Sequence, residues 1–232
     1  MTDKRTALIT GASRGLGLAL AKGLAERGWN LIIDARGQAA LVSAREELAA
    51  KTTVIAIPGS IEDTAHRDAL AKAASETGGL DVVVNNAGIL GPSPQPELLD
   101  YPLEALAEVY QINVIAQLGL LQALKDQLKP GARVLNITSD AGVEGYAGWG
   151  GYGSSKAALE QLSRVLAEER PDWRVYWVDP GDMRTQMQQE ASPGEDISDK
   201  PLPDERVPGL IELIEGDYPS GRYRAHELEP KQ

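Results

Sequence analysis

The 232-residue sequence contains no cysteine, no phenylalanine and only two histidines, His66 and His226. The absence of cysteine excludes disulfide scaffolds, thiolate zinc or iron–sulfur centres and cysteine nucleophiles. Two imidazoles leave little for a histidine metal site or a Ser-His-Asp triad, so no metal is expected. Without phenylalanine the core has to come from Ala, Leu, Val and Ile, with four tryptophans and seven tyrosines as the aromatic residues. Long apolar runs are missing too. No stretch approaches the roughly 18 residues of a membrane span, and MTDKRTALIT lacks a charged-then-apolar leader, so a cytoplasmic protein is expected. Positive charge is scarce: 23 Lys and Arg against 34 Asp and Glu give a net charge of −11. That balance repels nucleic-acid phosphates and anionic lipid, so neither nucleic acid nor membrane is an expected partner. The acids are dispersed along the chain, as on a solvated surface.

What is present is a regular alternation. Short apolar runs at residues 5–10, 30–34, 53–57, 80–84, 132–137 and 173–178 predict strands. Helical spacing at 16–27, 41–50, 63–76, 103–128 and 154–169 predicts the helices between them. Strands apolar throughout belong to a sheet covered on both faces. The expected architecture is therefore α/β, a parallel sheet built from strand-helix units, in one domain over residues 1–232. Residues 186–208 break the pattern with four prolines and six acids, and only 207–214 reads as helical beyond them. Lying past the sixth strand's carboxyl end, where ligands bind in open α/β sheets, this stretch is expected to be a mobile substrate flap rather than a surface loop without a role.

Between the first strand and first helix stands Thr10-Gly11-Ala12-Ser13-Arg14-Gly15-Leu16-Gly17. Glycines there let backbone N–H groups and a helix N-terminus approach a pyrophosphate. The general dinucleotide rule puts an acid about 20 residues further on to hold a ribose 2′-hydroxyl, and Asp34 nearly fits.

TGASRGLG at 10–17, NNAG at 85–88 and Tyr152-Gly-Ser-Ser-Lys156, in this order, resemble the short-chain dehydrogenase/reductase family over residues 5–185. The resemblance implies a three-layer αβα doubly wound Rossmann fold of about seven strands and a nicotinamide cofactor. It implies cofactor contacts from Gly11, Ser13, Arg14, Gly15, Leu16 and Gly17, and from Asn86, Ala87 and Gly88 after the fourth strand. Asp179-Pro-Gly-Asp-Met-Arg-Thr185 resembles the family's segment after the sixth strand, which adds Pro180, Gly181, Met183 and Thr185. In the family register the discriminating acid position falls on Ala35, followed by Arg36, whose guanidinium suits a 2′-phosphate. With Arg14 nearby, the register favours NADP(H) over NAD(H). The family's adenine-contacting Asp is replaced by Ser60, beside Ile61.

For the chemistry, Tyr152 and Lys156 are i and i+4 near a helix start and share one face. An adjacent ammonium and a helix N-terminus favour the phenolate, so a lowered Tyr152 pKa is expected. Lys156 also matches the lysine that reaches the cofactor's ribose. Ser139 stands thirteen residues before Tyr152 and resembles the serine that orients the carbonyl oxygen. Asn113, in the predicted 103–128 helix, resembles the asparagine that holds a water beside the lysine. Tyr146 and Trp149 either line a pocket for an apolar substituent or pack on the flap or a subunit contact. The expectation is hydride transfer between NADP(H) and a small carbonyl or alcohol. The alternatives are a non-catalytic cofactor-binding redox sensor, an NAD-preferring dehydrogenase, and an isomerase or dehydratase on the same scaffold. A homodimer or homotetramer through the 103–128 and 154–169 helices is expected from the resemblance.

Overall fold

A computed structural model describes residues 4–228. Residues 1–3 and 229–232, which the expected 1–232 domain includes, lie outside the described residues. The strands are β1 (Thr6–Ile9), β2 (Asn30–Ala35), β3 (Val54–Pro58), β4 (Leu80–Asn85), β5 (Leu128–Ile137), β6 (Arg174–Asp179) and β7 (Gly221–Arg224). All are parallel, in the spatial order β3-β2-β1-β4-β5-β6-β7. The helices are α1 (Gly15–Glu26), α2 (Gln38–Ala49), α3 (Thr64–Glu76), α4 (Leu103–Tyr110), α5 (Ala116–Leu124), α6 (Gly150–Glu169), α7 (Gln186–Ala191) and α8 (Val207–Glu215). This is the doubly wound, seven-stranded Rossmann architecture that the family resemblance implies.

Two apolar layers follow from the period of two along each strand. Ala7, Ile9, Leu31, Ile33, Val82 and Val84 face one way, onto α1, α2 and α8. Leu8, Ile32 and Val83 face the other way, onto α3 and α5. Because both faces are covered, the central strands carry no polar alternation, which is why they read as continuous apolar runs.

Three boundaries differ from the sequence expectation. The 103–128 helix is two α-helices joined by a π-helical turn, Gln111–Ile115, and Leu128 already belongs to β5. Hydrophobic spacing cannot register the one-residue widening of a π turn, and Asn113 sits at its middle. Residues 186–191 are helical although polar, because Thr185 caps them, accepting from the Gln188 N–H at 3.2 Å, and because Met187 and Ala191 share an inward face. Last, the tail forms a seventh strand where the sequence left the end open.

α8 closes the layer by lying directly on the chain after β7: a Cβ added at Gly209 would come within 1.9 Å of the Ala225 carbonyl oxygen. Gly209→Ala is expected to force the helix off that backbone. The loss should be about 2 kcal/mol, lowering Tm by roughly 4–8 °C for a chain of this size. An unchanged thermal melt would contradict this packing.

Candidate active site

The strand order changes direction between β1 and β4, and the carboxyl ends of the strands open there into a cleft of about 1410 Å³. Its floor is lashed together by a few polar contacts. The Thr10 hydroxyl accepts from the N–H groups of Asn86 and Ala87 at 3.0 and 2.9 Å, and Asn86 Nδ2 donates to the Thr10 carbonyl at 2.8 Å. Gly11 takes φ +66°, and a Cβ on Gly17 would lie 2.6 Å from both Asn86 Nδ2 and the Gly11 carbonyl. Glycine is therefore required where the loop folds back against the β4 end. α1 begins at this loop with no side-chain cap and no acid in its first turn, so its leading N–H groups stay available to an anion in the cleft.

Of the residues expected to meet cofactor or substrate, Gly11, Ser13, Arg14, Gly15, Leu16, Arg36, Ser60, Ile61, Asn86, Ala87 and Gly88 all line this cleft. So do Ser139, Tyr152, Lys156, Pro180, Gly181, Met183 and Thr185. Gly17 and Asn113 stand behind its wall. Several of these side chains are engaged differently from expectation. Ser60 donates its proton to Glu62 Oε2 at 3.1 Å. Asn86 braces the glycine loop. The Asn113 carboxamide accepts from the Ile89 N–H, donates to the Ile89 carbonyl, both at 2.9 Å, and donates to Ser155 at 3.0 Å. Its side chain thus fixes the loop after β4. Asp34, the acid that the general rule would give to a ribose, is buried with both oxygens occupied: one accepts from the Gly11 N–H at 2.9 Å, the other meets His66 Nε2 at 2.9 Å.

The Tyr152 and Lys156 pair also corrects the sequence reading. Lys156 is buried, its Nζ 5.4 Å from the Tyr152 ring centre and donating to the Ile137 carbonyl at 2.8 Å. Burial lowers its pKa to about 8. Tyr152 is pushed up, not down: burial is the main cause, and the carboxylates of Asp179 and Asp140 add to it. At this depth the loss of hydration outweighs the helix terminus and a lysine that is itself poorly solvated. Ser139 accepts from the Ala141 N–H at 3.2 Å and donates to Asp140 at 2.9 Å.

Below these groups lies a buried ionic network that no sequence motif announced. Glu160, 1% exposed, accepts from Thr138 at 3.0 Å, from Arg222 Nε at 3.0 Å and from Arg164 at 3.1 Å. Arg222 also donates to the Ser139 carbonyl at 3.2 Å and pairs with Asp179 at 3.5 Å. It reaches the site from β7, some 80 residues downstream of Ser139, so no local pattern could have linked the two.

A glycine loop at a helix N-terminus, opening onto a cleft that also holds a buried Tyr–Lys pair, defines a dinucleotide-binding fold of the oxidoreductase type. Residues 5–196 match the short chain dehydrogenase family, and the chain belongs to it. It is similar to the rhamnolipids biosynthesis 3-oxoacyl-[acyl-carrier-protein] reductase of Pseudomonas aeruginosa, with 40% identity over 71% of this chain and 66% of that protein. Curated relatives at this level are matched over roughly two thirds to three quarters of their lengths. Among solved structures it is similar to a short chain dehydrogenase from Pseudomonas syringae, with a TM-score of 0.90, 31% identity and 96% and 95% of the two chains covered. It is also similar to a short chain dehydrogenase from Shigella flexneri complexed with NADP, with a TM-score of 0.85, 30% identity and 96% and 97% covered.

The lowered Lys156 pKa has a consequence for stability. Below pH 8 the lysine is charged in both folded and unfolded chains, and the full cost of burying the charge is present. Between pH 8 and the ordinary value of 10.5 the folded chain has released a proton that the unfolded chain keeps, so this cost declines as pH rises. Relative to Lys156→Met, the wild-type protein should therefore gain stability, by roughly 3 kcal/mol, between pH 8 and 10.5. Parallel denaturant titrations that keep a constant difference across this range would show that the lysine is solvated.

Proposed function

We propose that the protein is an NADP(H)-dependent carbonyl reductase of the short-chain dehydrogenase family, acting in the cytoplasm on a small carbonyl compound or, in reverse, an alcohol. The arrangement that carries this reading is the convergence of Ser139, Tyr152 and Lys156 on the cleft that the glycine loop opens. A bound reduced nicotinamide supplies the hydride for the carbonyl carbon and is oxidised in the exchange. The chain supplies the rest. Tyr152, held protonated by its surroundings, gives its proton to the substrate oxygen as the C=O π bond breaks and C–H and O–H bonds form. Ser139 turns its hydroxyl from Asp140 to that oxygen and fixes its position. Lys156 stands beside the phenol, where its positive charge offsets the negative charge left on the oxygen of Tyr152. Asn113 acts at one remove, by holding the Ile89 backbone that forms part of the cleft.

The preference for the 2′-phosphorylated cofactor rests on Asp34. Its side chain is buried and each carboxylate oxygen already has a partner, Gly11 and His66, which disfavours a further contact to a ribose hydroxyl. The cations lining this part of the cleft are Arg36, which suits a phosphate, and Arg14 and Lys22, which also meet Gln186 and, at 2.8 Å, Glu47, respectively. The NADP-bound Shigella structure supports the same choice. Residues 186–208 bring Met187, Glu190 and Ala191 to the cleft wall, which supports a role for that segment over the substrate. Exposed Leu103, Ile115 and Leu118 on the α4–α5 segment and Val165 on α6 support assembly of a homodimer or homotetramer through those helices.

Absorbance at 340 nm with a panel of aldehydes, ketones and diketones tests the reading. NADPH oxidation should fall on the order of a thousandfold in Tyr152→Phe while the fold is kept. Cofactor binding without turnover of any carbonyl would refute the assignment. For the cofactor, Arg36→Ala should raise the KM for NADPH by roughly tenfold or more and leave that for NADH nearly unchanged, as expected for loss of a charge-assisted phosphate contact. Equal effects on both would remove Arg36 from the 2′-phosphate site.

A further inference from the structure

Charge is distributed unevenly along the cleft. Arg14, Lys22 and Arg36 line the end made by the glycine loop and β2. At the other end, around Ser139 and Tyr152, stand Asp140, Asp179, Asp182 and Glu190, with Lys156 and Arg184 as the cations among them. Asp140 is the residue after Ser139 in the chain. One of its oxygens accepts from the Ser139 hydroxyl at 2.9 Å and the Ala141 N–H at 2.8 Å, and the other accepts from the Tyr146 hydroxyl at 3.0 Å. All three donors are neutral, and none of the ion pairs among the described residues involves Asp140. Neighbouring charges have other partners, although Arg224 and Arg206 line a smaller recess with Asp140 and the Arg224 guanidinium also feels the Asp140 carboxylate. Asp182 pairs with Lys200 at 2.9 Å, Arg224 pairs with Glu227 at 3.1 Å, and Arg184 donates to the Ser198 carbonyl. The Glu190 carboxylate accepts from Gln186 Nε2 at 2.7 Å, and the Oε1 of the same amide accepts from Arg14, which bridges the two ends of the cleft on this side.

The wall between these carboxylates and the phenol is apolar. Leu90 and Ala141 pack with Tyr152, and Trp149, Met187 and Ala191 lie against them. Trp149 meets the Tyr152 ring edge-on, with ring centres 5.8 Å apart. A carbonyl oxygen placed at Ser139 and Tyr152 would leave the body of its substrate against this wall, where each buried apolar ångström squared contributes about 25 cal/mol. A second charge on that body would share the cleft with Asp140, which is partly buried beside Ser139.

Resting on the reductase reading above, we propose that the substrate end of the cleft selects by charge. It takes carbonyl compounds with an apolar body that is uncharged or cationic, and it discriminates against those bearing a carboxylate or phosphate, with Asp140 as the specificity-determining residue. The same carboxylate contributes to holding Tyr152 protonated, so one side chain both keeps the acid charged with its proton and sets which substrate reaches it. The net charge of −11 acts in the same direction on any anionic substrate approaching from solution.

The test compares two compounds of similar size, neutral 1-phenylpropane-1,2-dione and anionic phenylglyoxylate, with NADPH at low ionic strength. For like charges at roughly 6 Å and an effective dielectric constant of about 20, kcat/KM should favour the neutral compound by about a hundredfold. Asp140→Asn removes the charge and keeps one acceptor oxygen for Ser139 and the Ala141 N–H, while the other position becomes an amide donor to the Tyr146 hydroxyl. Any loss of rate common to both substrates cancels in the ratio, which should narrow to about tenfold or less. Should that variant fail to fold in a thermal melt, two further measurements carry the test. Glu190→Gln should narrow the ratio in a folded protein, and raising salt from about 0.05 to about 0.5 M should narrow it in the wild type. Equal use of the two compounds by the wild type, or a ratio unmoved by both charge removal and salt, overturns the charge filter alone. No turnover of any carbonyl overturns the reductase reading and the filter with it.

Discussion

Parallel pairing of all seven strands is the constraint on which the remainder depends. A parallel strand cannot be joined to its neighbour by a tight turn, so each connection crosses a face of the sheet as a helix, and every strand delivers its last residue to the same edge. Thr10, Asp34, Asn86, Ser139 and Asp179 are all such strand-end residues, 169 positions apart at the extremes, and they meet for that reason. The reversal of winding between β1 and β4 parts the helices at that edge, and the cleft is the gap that results. The hydrogen bonds from Thr10 to Asn86 and Ala87 hold the two sides of the gap at a fixed spacing. The glycine loop therefore inherits its position from the sheet.

Buried charges around this edge have a partner of opposite sign or several hydrogen bonds, and Lys156 is the exception. Glu160 has Arg222, Arg164 and Thr138. Asp34 has His66 and the Gly11 N–H. Lys156 has a backbone carbonyl and no carboxylate contact, and its pKa falls accordingly. Tyr152 and Lys156 both resist ionisation for the same reason, which keeps a proton on the phenol and weakens the charge on the amine. Arg222 links the layers of this arrangement, since it holds the Ser139 carbonyl from beneath while satisfying Glu160 and approaching Asp179. The C-terminal strand thereby serves the front of the site as well as the edge of the sheet.

Much of this was legible in the residues, and the part that was not has identifiable causes. Six of the strands were visible because double burial erases polar alternation in segments such as Leu8–Ile9 and Val82–Val84. The glycine loop was visible because only glycine permits the approach between Gly17 and Asn86. Tyr152, Lys156 and Ser139 could be placed because helix and strand-end geometry is local. The π turn at Asn113 was hidden, since widening a helix by one residue leaves the hydrophobic spacing almost intact. The occupation of Asp34 by His66 was hidden because it joins a strand end to a helix 32 positions later, and spacing alone gave Asp34 to a ribose. The direction of the Tyr152 shift was misjudged because depth of burial, which decides it, is a property of the whole layer and not of the Tyr-x-x-x-Lys spacing.

Asp34 shows how such non-local contacts decide chemistry. A carboxylate at the end of β2 is best suited to a ribose diol when its oxygens face the cleft without other partners. Here the first oxygen is spent on the N–H of Gly11, which fixes the left-handed start of the glycine loop, and the second is covered by an imidazole from α3. His66 in turn has little freedom: its ring lies so close to Gly59 that any Cβ there would fall 2.3 Å from Nδ1. Gly59 thus allows His66 to approach, His66 retains Asp34, and Asp34 retains the loop, a chain of contacts that leaves Arg36 as the next charged side chain on β2's exit. On the NADP(H) reading, cofactor preference depends on Gly59 and His66, which hold Asp34 in place, as well as on the residue beside the 2′ position.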